Sequence, residues 1–221
     1  ETVSFLNPQS KYGSDVISRI QFANKKENLQ LLSNLIINRI DKEIHHLLIK
    51  NSINRNNLFE VVVSGNTVMN HLLLNIDPTS MAFAPYKCSF LDTKITTYKS
   101  VFKKDIPSTV TILGGLDSYV GGDIVSGIYS QNIHKNARFN ILVDLGTNGE
   151  MVIGNNSTIY GASTAAGPAF EGVNIHAGIG AVEGAICKYT FNKTPETIHH
   201  KEPIGICGSG IIDIVSELYD N

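Results

Sequence analysis

Two hydrophobic periods share this chain. Over residues 28–50, Leu32, Leu35, Ile36, Ile40, Ile44, Leu47 and Leu48 recur at helical spacing, which predicts one long amphipathic helix. A shorter helix is expected through Val16, Ile17, Ile20 and Phe22. Ser14 would be its N-cap, and Asp15 would sit in the first turn, where a carboxylate suits the helix dipole. Elsewhere the apolar residues come in short runs. Residues 58–63 (read as a buried strand), 109–113, 141–143, 151–153, 157–160 and 186–191 read as strands, and 68–74, 124–130 and 211–219 as helices. Residues 7–13 and 192–202 read as loops, 77–79 as a turn or short helix, and 85–107 as irregular or edge-strand structure without a clear period. Strand, glycine turn and helix in succession predict an α/β fold whose sites lie at strand carboxyl ends.

One stretch stands out, residues 139–154, F-N-I-L-V-D-L-G-T-N-G-E-M-V-I-G. Asn148-Gly149 between two β-prone runs is a hairpin signal, because both residues accept positive φ at low cost. The first run ends on Asp144, and Gly146, Thr147, Asn148 and Gly149 follow. Backbone N–H groups bared in such a turn can cradle phosphate, and a neighbouring carboxylate can hold Mg²⁺ through water. The plainer reading is a surface hairpin with a solvated Asp.

Composition narrows the classes. A net charge of -2 with 17% charged residues leaves no basic footprint for nucleic acid. No apolar run reaches membrane length and no signal peptide is visible. Cys88, Cys187 and Cys207 lie far apart and form no C-x-x-C, so no iron–sulfur cluster or zinc knuckle is expected within these residues. A low, odd cysteine count suits a reducing cytoplasm. The start at Glu1 and the stop at Asn221 inside a predicted helix read as the cut ends of a longer protein.

Several other positions carry two readings. Asn66 and Thr67 follow the first strand of the α/β pattern and are either helix caps or ligand contacts. Asp123, after Gly121-Gly122, is either a cap or an active-site acid. Residues 161–172, G-A-S-T-A-A-G-P-A-F-E-G, are almost all small, which suits close backbone approach or a tight turn. Gly208-Ser209-Gly210 opens the last helix, where free N–H groups can hold an anion. His45 and His46, being adjacent, do not share a helix face, and His199-His200 sit in the polar loop; all four read as solvated.

Together, N-P-Q-x-x-Y-G-x-D-V-I-S-R-I from Asn7, S-G-N-T-V-M-N-H-L from Ser64, G-G-D-I-V-S-G-I from Gly121, V-D-L-G-T-N-G-E from Val143, A-A-G-P-A-F-E-G from Ala165 and G-I-C-G-S-G-I-I-D from Gly205 resemble one family. It is the ATPase region of the reductive activators of corrinoid proteins, within the superfamily of acetate and sugar kinases, heat-shock chaperones and actin. The resemblance implies an actin-like ATPase (RNase H-like) fold of two lobes, truncated here at both ends. Residues 1–135 would be the first lobe, lacking its phosphate hairpin and ending in the connecting helix. Residues 136–221 would begin the second lobe with the second phosphate hairpin. The resemblance further implies ATP and Mg²⁺ as cofactors, with Asp144 on the metal through water and Gly146, Thr147, Asn148 and Gly149 on phosphate. Gly167 and Glu171 would approach the terminal phosphate, Gly208, Ser209 and Gly210 would give lesser help, and Asp123 is the candidate for orienting the attacking water. The missing first hairpin, the glycine pair for adenosine and an iron–sulfur cluster domain would all lie outside these residues.

By resemblance the whole protein would couple ATP to the reduction of a Co(II) corrinoid on a methyl-transfer protein, in the cytoplasm, without nucleic acid or membrane, and with homodimerisation open. The chain by itself is expected to be inactive. Two rival readings stand beside it: a module that docks a corrinoid protein or dimerises with little hydrolysis, and a small-molecule kinase of the same superfamily.

Overall fold

The computed structural model describes residues 1–146, 148–164 and 175–220. Its contacts divide the chain into two compact units, Glu1–Leu142 with Met151–Ala162, and Val143–Glu150 with Ser163–Asn221.

The first unit begins with a 3-10 turn, Pro8–Tyr12, followed by α1 (Val16–Phe22) and α2 (Lys26–Lys50). The cap of α1 is Asp15, not Ser14. Asp15 Oδ1 accepts the Ser18 N–H at 2.8 Å while Ser18 Oγ accepts the Asp15 N–H at 3.2 Å, a reciprocal capping box that the carboxylate can reach from the residue next to the helix. In α2 the deepest positions are Leu29, Leu32, Ser33, Ile37 and Leu48, with Leu35, Ile36, Ile40 and Ile44 half-buried beside them and His45 and His46 exposed.

Next come β1 (Glu60–Val63), α3 (Thr67–Leu73), β2 (Lys94–Thr97), α4 (Tyr98–Phe102) and β3 (Thr109–Ile112). The sheet order is β1-β3-β2, with β1 parallel and β2 antiparallel to β3. Two expectations change here. β1 starts only at Glu60 and is not buried: Val61 and Val63 turn towards the core, whereas Val62 is 57% exposed, the alternation of a sheet covered on one face. Residues 85–107 hold the edge strand β2 but also α4, whose Tyr98, Val101 and Phe102 join Ile37, Leu73, Val110 and Ile112 in the main core. A helix of five residues is too short to show its period in sequence. Thr97 caps it by accepting the Ser100 N–H.

α5 (Gly122–Ser130) leads to β4 (Asn140–Leu145), β5 (Gly149–Gly154) and β6 (Ile159–Thr164), neighbours in that order. In the first unit, Ile124 and Ile128 of α5 pack with Val120, Ile133 and Val152, flanked by Leu142 and Ile159. Gly127 lets the Leu142 side chain come close: a Cβ there would lie 2.8 Å from Leu142 Cδ2.

In the second unit β7 (Ala185–Lys188) is central, antiparallel to β8 (Glu196–Thr197) and parallel to β9 (Gly205–Ile206), and α6 (Gly208–Asp220) packs on β7. The strand expected over 186–191 ends at Lys188, and the expected loop 192–202 contains β8. Both departures come from pairing between segments distant in sequence, which a local pattern does not carry. No helix among the described residues is long and apolar enough to cross a membrane.

Candidate functional site

β1 and β3 run parallel, so their carboxyl ends lie side by side and their turns converge. β1 runs into Ser64-Gly65-Asn66 and β3 into Leu113-Gly114-Gly115. Asn66 caps α3 by accepting the Met69 N–H at 2.8 Å, and Thr67 Oγ1 donates to the Asp117 carbonyl at 3.1 Å. Asn70, 3% exposed, donates through Nδ2 to the Leu113 carbonyl at 3.0 Å and the Gly65 carbonyl at 3.4 Å. The start of α5 closes against this turn. The Asp123 N–H donates to the same Gly65 carbonyl at 3.3 Å, and Ser64 Oγ donates to the Gly122 carbonyl at 3.0 Å. A Cβ on Gly121 would lie 2.6 Å from Asn66 Cα and 2.8 Å from the Thr67 nitrogen, so only glycine fits. Gly121 is the cap of α5. Asp123 stands one residue inside it, half-buried, with Oδ1 accepting the Ile124 N–H at 2.9 Å. Asn66, Thr67 and Asp123 therefore meet at one place, the first two as cap and tie.

His71 anchors the other end of this turn. Fully buried on α3, it places Nδ1 2.7 Å from the Thr67 carbonyl and accepts the Ser89 N–H on Nε2 at 3.1 Å. That donor assigns the proton to Nδ1. Phe90 stacks on the ring at 4.4 Å. Burial pushes its pKa below the ordinary histidine value against the pull of the Thr67 carbonyl, and Lys94 lowers it further while Asp77 opposes.

In the second unit, residues 143–150 of the stretch singled out in sequence form the junction of β4 and β5. Asp144 is exposed at the end of β4, and the Gly146 N–H donates to the Asn148 carbonyl at 2.9 Å. Gly149 is already the first residue of β5, so the Asn-Gly pair does not supply the two central positions of the turn. Gly149 is buried, and a Cβ there would come 3.2 Å from Thr164 Cγ2; at Gly146 the nearest atom among the described residues would be the Asn148 carbonyl at 3.7 Å. Glu150 Oε1 accepts the Ser163 hydroxyl at 3.4 Å. Thr147, Gly167 and Glu171, with the rest of the small-residue run after Thr164, lie outside the described residues. Among the described residues no group of three or more His, Cys, Asp or Glu side chains could hold a metal. Mg²⁺ bound with a nucleotide needs one or two carboxylates, waters and phosphate oxygens rather than a protein cage, and exposed Asp144 fits that requirement.

Gly208, Ser209 and Gly210 form the first turn of α6 rather than a loop before it. A Cβ on Gly210 would clash with the Ile186 carbonyl of β7, so this glycine permits helix and strand to touch. Cys207, just ahead, donates Sγ–H to the Ile186 carbonyl and lies 3.2 Å from Ser209 Oγ. Burial pushes its thiol up, but the Ser209 hydroxyl and the N–H groups of Gly210 and Ser209 outweigh it and leave the pKa below the ordinary value.

Sequence reasoning passed over Asn70 and Ser64. A lone Asn inside the apolar run V-M-N-H-L-L, four residues after the cap, was the available signal, since a buried polar side chain requires partners.

The fold and its glycine turns belong to the ASKHA class of α/β proteins. Residues 1–136 match the family described as "RACo middle region" and residues 138–221 the one described as "C-terminal domain of RACo the ASKHA domain". The chain belongs to the RACo family. It is 34% identical over 98% of its length to the "Corrinoid activation enzyme RamQ" of Eubacterium limosum, of which it spans 37%. It is 26% identical over 67% of its length to the "[Co(II) methylated amine-specific corrinoid protein] reductase" of Methanosarcina barkeri, spanning 29% of that protein. A solved structure, "Reductive activator for corrinoid,iron-sulfur protein", superposes with a TM-score of 0.81 at 34% identity, over 96% of this chain and 35% of its own.

Proposed function

We propose that this chain is the nucleotide-binding part of a longer, ATP-dependent reductive activator of corrinoid proteins. The observation that carries the reading is the 34% identity over 98% of the chain to a corrinoid activation enzyme. The partner is a corrinoid protein of methyl transfer, and the task is the one-electron reduction of Co(II) to Co(I), with the electron supplied by an iron–sulfur cluster in another domain. Residues 1–135 serve as part of one lobe and 136–221 as the start of the other.

In this reading Asp144 holds Mg²⁺ through water. Gly146, Thr147, Asn148 and Gly149 would cradle phosphate, the Gly146 N–H by giving up its bond to the Asn148 carbonyl, and Gly167 and Glu171 would approach it, with Gly208, Ser209 and Gly210 in a lesser role. Asp123 would orient the attacking water, and Glu150 would position the hairpin or the metal. Asp144 and these donors would hold Mg²⁺ and the phosphates, and the bound ion would supply charge stabilisation of the phosphoryl group, the main catalytic term in such reactions. Hydrolysis drives reduction only through unequal binding of nucleotide to two conformations. The test is Mg-ATP-dependent formation of Co(I) by the full-length protein, followed optically. Reduction that proceeds equally without ATP would overturn the coupling, and a phosphorylated small molecule would favour a kinase.

A further inference from the structure

We propose that Asn70 is the positioning residue of the Asp123 turn, acting through the Gly65 peptide. The inference rests on the ATP-dependent reading above and adds a residue to it. The Gly65 carbonyl receives two donors, Asn70 Nδ2 at 3.4 Å and the Asp123 N–H at 3.3 Å. The same Nδ2 holds the Leu113 carbonyl at 3.0 Å. One side chain on α3 thus links the carboxyl ends of β1 and β3 and the peptide on which the first turn of α5 rests. Asn70 is 3% exposed, and the Asn66 cap fixes the helix that carries it. Burial keeps water from substituting for the amide, so its removal leaves the Leu113 carbonyl without this donor and the Gly65 carbonyl with the Asp123 N–H at 3.3 Å. The Gly65 peptide then has no side chain of its own to hold its plane, and Asp123 moves with it. Asn70 does not touch the reacting atoms; it fixes the place from which Asp123 acts.

The experiment compares Asn70→Ala and Asn70→Asp with the native full-length protein in steady-state Mg-ATP turnover. Ser33→Ala is the control, because Ser33 Oγ makes a buried bond of the same type to the Leu73 carbonyl at the far end of α3. Positioning predicts a fall in kcat of about a hundredfold for Asn70→Ala with KM changed by less than about threefold. Ser33→Ala should lower the thermal midpoint and leave kcat alone. In Asn70→Asp a carboxylate faces two carbonyls, so turnover should recover as the pH is lowered and the acid regains a donor, while Asn70→Ala shows no such recovery. If Asn70→Ala lowers the thermal midpoint as Ser33→Ala does, with kcat per folded molecule intact, the residue is merely structural and the inference fails while the ATP reading survives. Native protein that neither binds nor hydrolyses Mg-ATP overturns both.

Discussion

The glycine turns after β1 and after β4 are built in opposite ways. The one after β1 is braced from three directions: Asn70 from α3, Asp123 and Ser64 against the start of α5, and Thr67 against the Asp117 carbonyl. The one after β4 exposes Asp144, and among the described residues its local tie is the Gly146 N–H on the Asn148 carbonyl. A turn whose Gly65 carbonyl takes two donors and whose side chains tie it to α5 and the Asp117 carbonyl has its geometry set before any ligand arrives. A turn with an exposed carboxylate and little bracing has groups to offer one. Under the proposed function the first turn would position and the second would bind, even though both are written as glycine-rich strand ends.

The largest effect expected from this contrast is chemical. Asp144→Ala in the full-length protein should lower Mg-dependent ATP turnover by more than about a hundredfold and leave the unfolding midpoint in place, since the side chain is exposed. Unchanged turnover would remove Asp144 from the metal. Second, Gly121→Ala should destabilise the protein by about 2 kcal/mol or more in urea unfolding, because its Cβ would press on the backbone of Asn66 and Thr67. A silent substitution would mean the braced turn yields readily.

Third, the braced turn should be acid-sensitive through His71. Its folded pKa lies below the ordinary 6.5, chiefly through burial, so the unfolded chain binds the extra proton first. The contribution is therefore complete above that value and is lost as the pH falls below it. Urea midpoints measured from pH 7.5 downwards should decline, and His71→Gln should flatten the part of the slope that belongs to this imidazole. An identical slope in the variant would mean that other groups carry it. The smallest effect belongs to the open turn. Gly146→Ala should change stability by less than about 0.5 kcal/mol, because among the described residues its Cβ would meet only the Asn148 carbonyl at 3.7 Å. A large loss would show that this turn is as constrained as the other.

The α/β character, the long helix near 28–50 and the stretch around Asp144 were all legible in the chain, and the family resemblance read from six motifs agrees with the matches over residues 1–136 and 138–221. The elements misread share a cause. α4 spans only five residues, β8 only two, and β1 alternates where a buried run was expected. Each depends on what it packs against more than on its own composition. Asp15 replaced Ser14 as the cap of α1 for a local reason, the reciprocal bond with Ser18. At the candidate site, Asp123, Asn66 and Thr67 were visible as residues at strand ends and helix starts, but Asn70 was not.

What this sequence settled by itself is whatever short-range periodicity and turn chemistry encode: where the long helices run, that glycine turns follow strands, and which stretches bear the mark of a corrinoid activator's relatives. The tertiary structure alone decided which turn is rigid. A bond such as Asn70 to the Leu113 carbonyl joins residues 43 positions apart, and no local pattern specifies a contact that exists only once two parallel strands have brought their ends together.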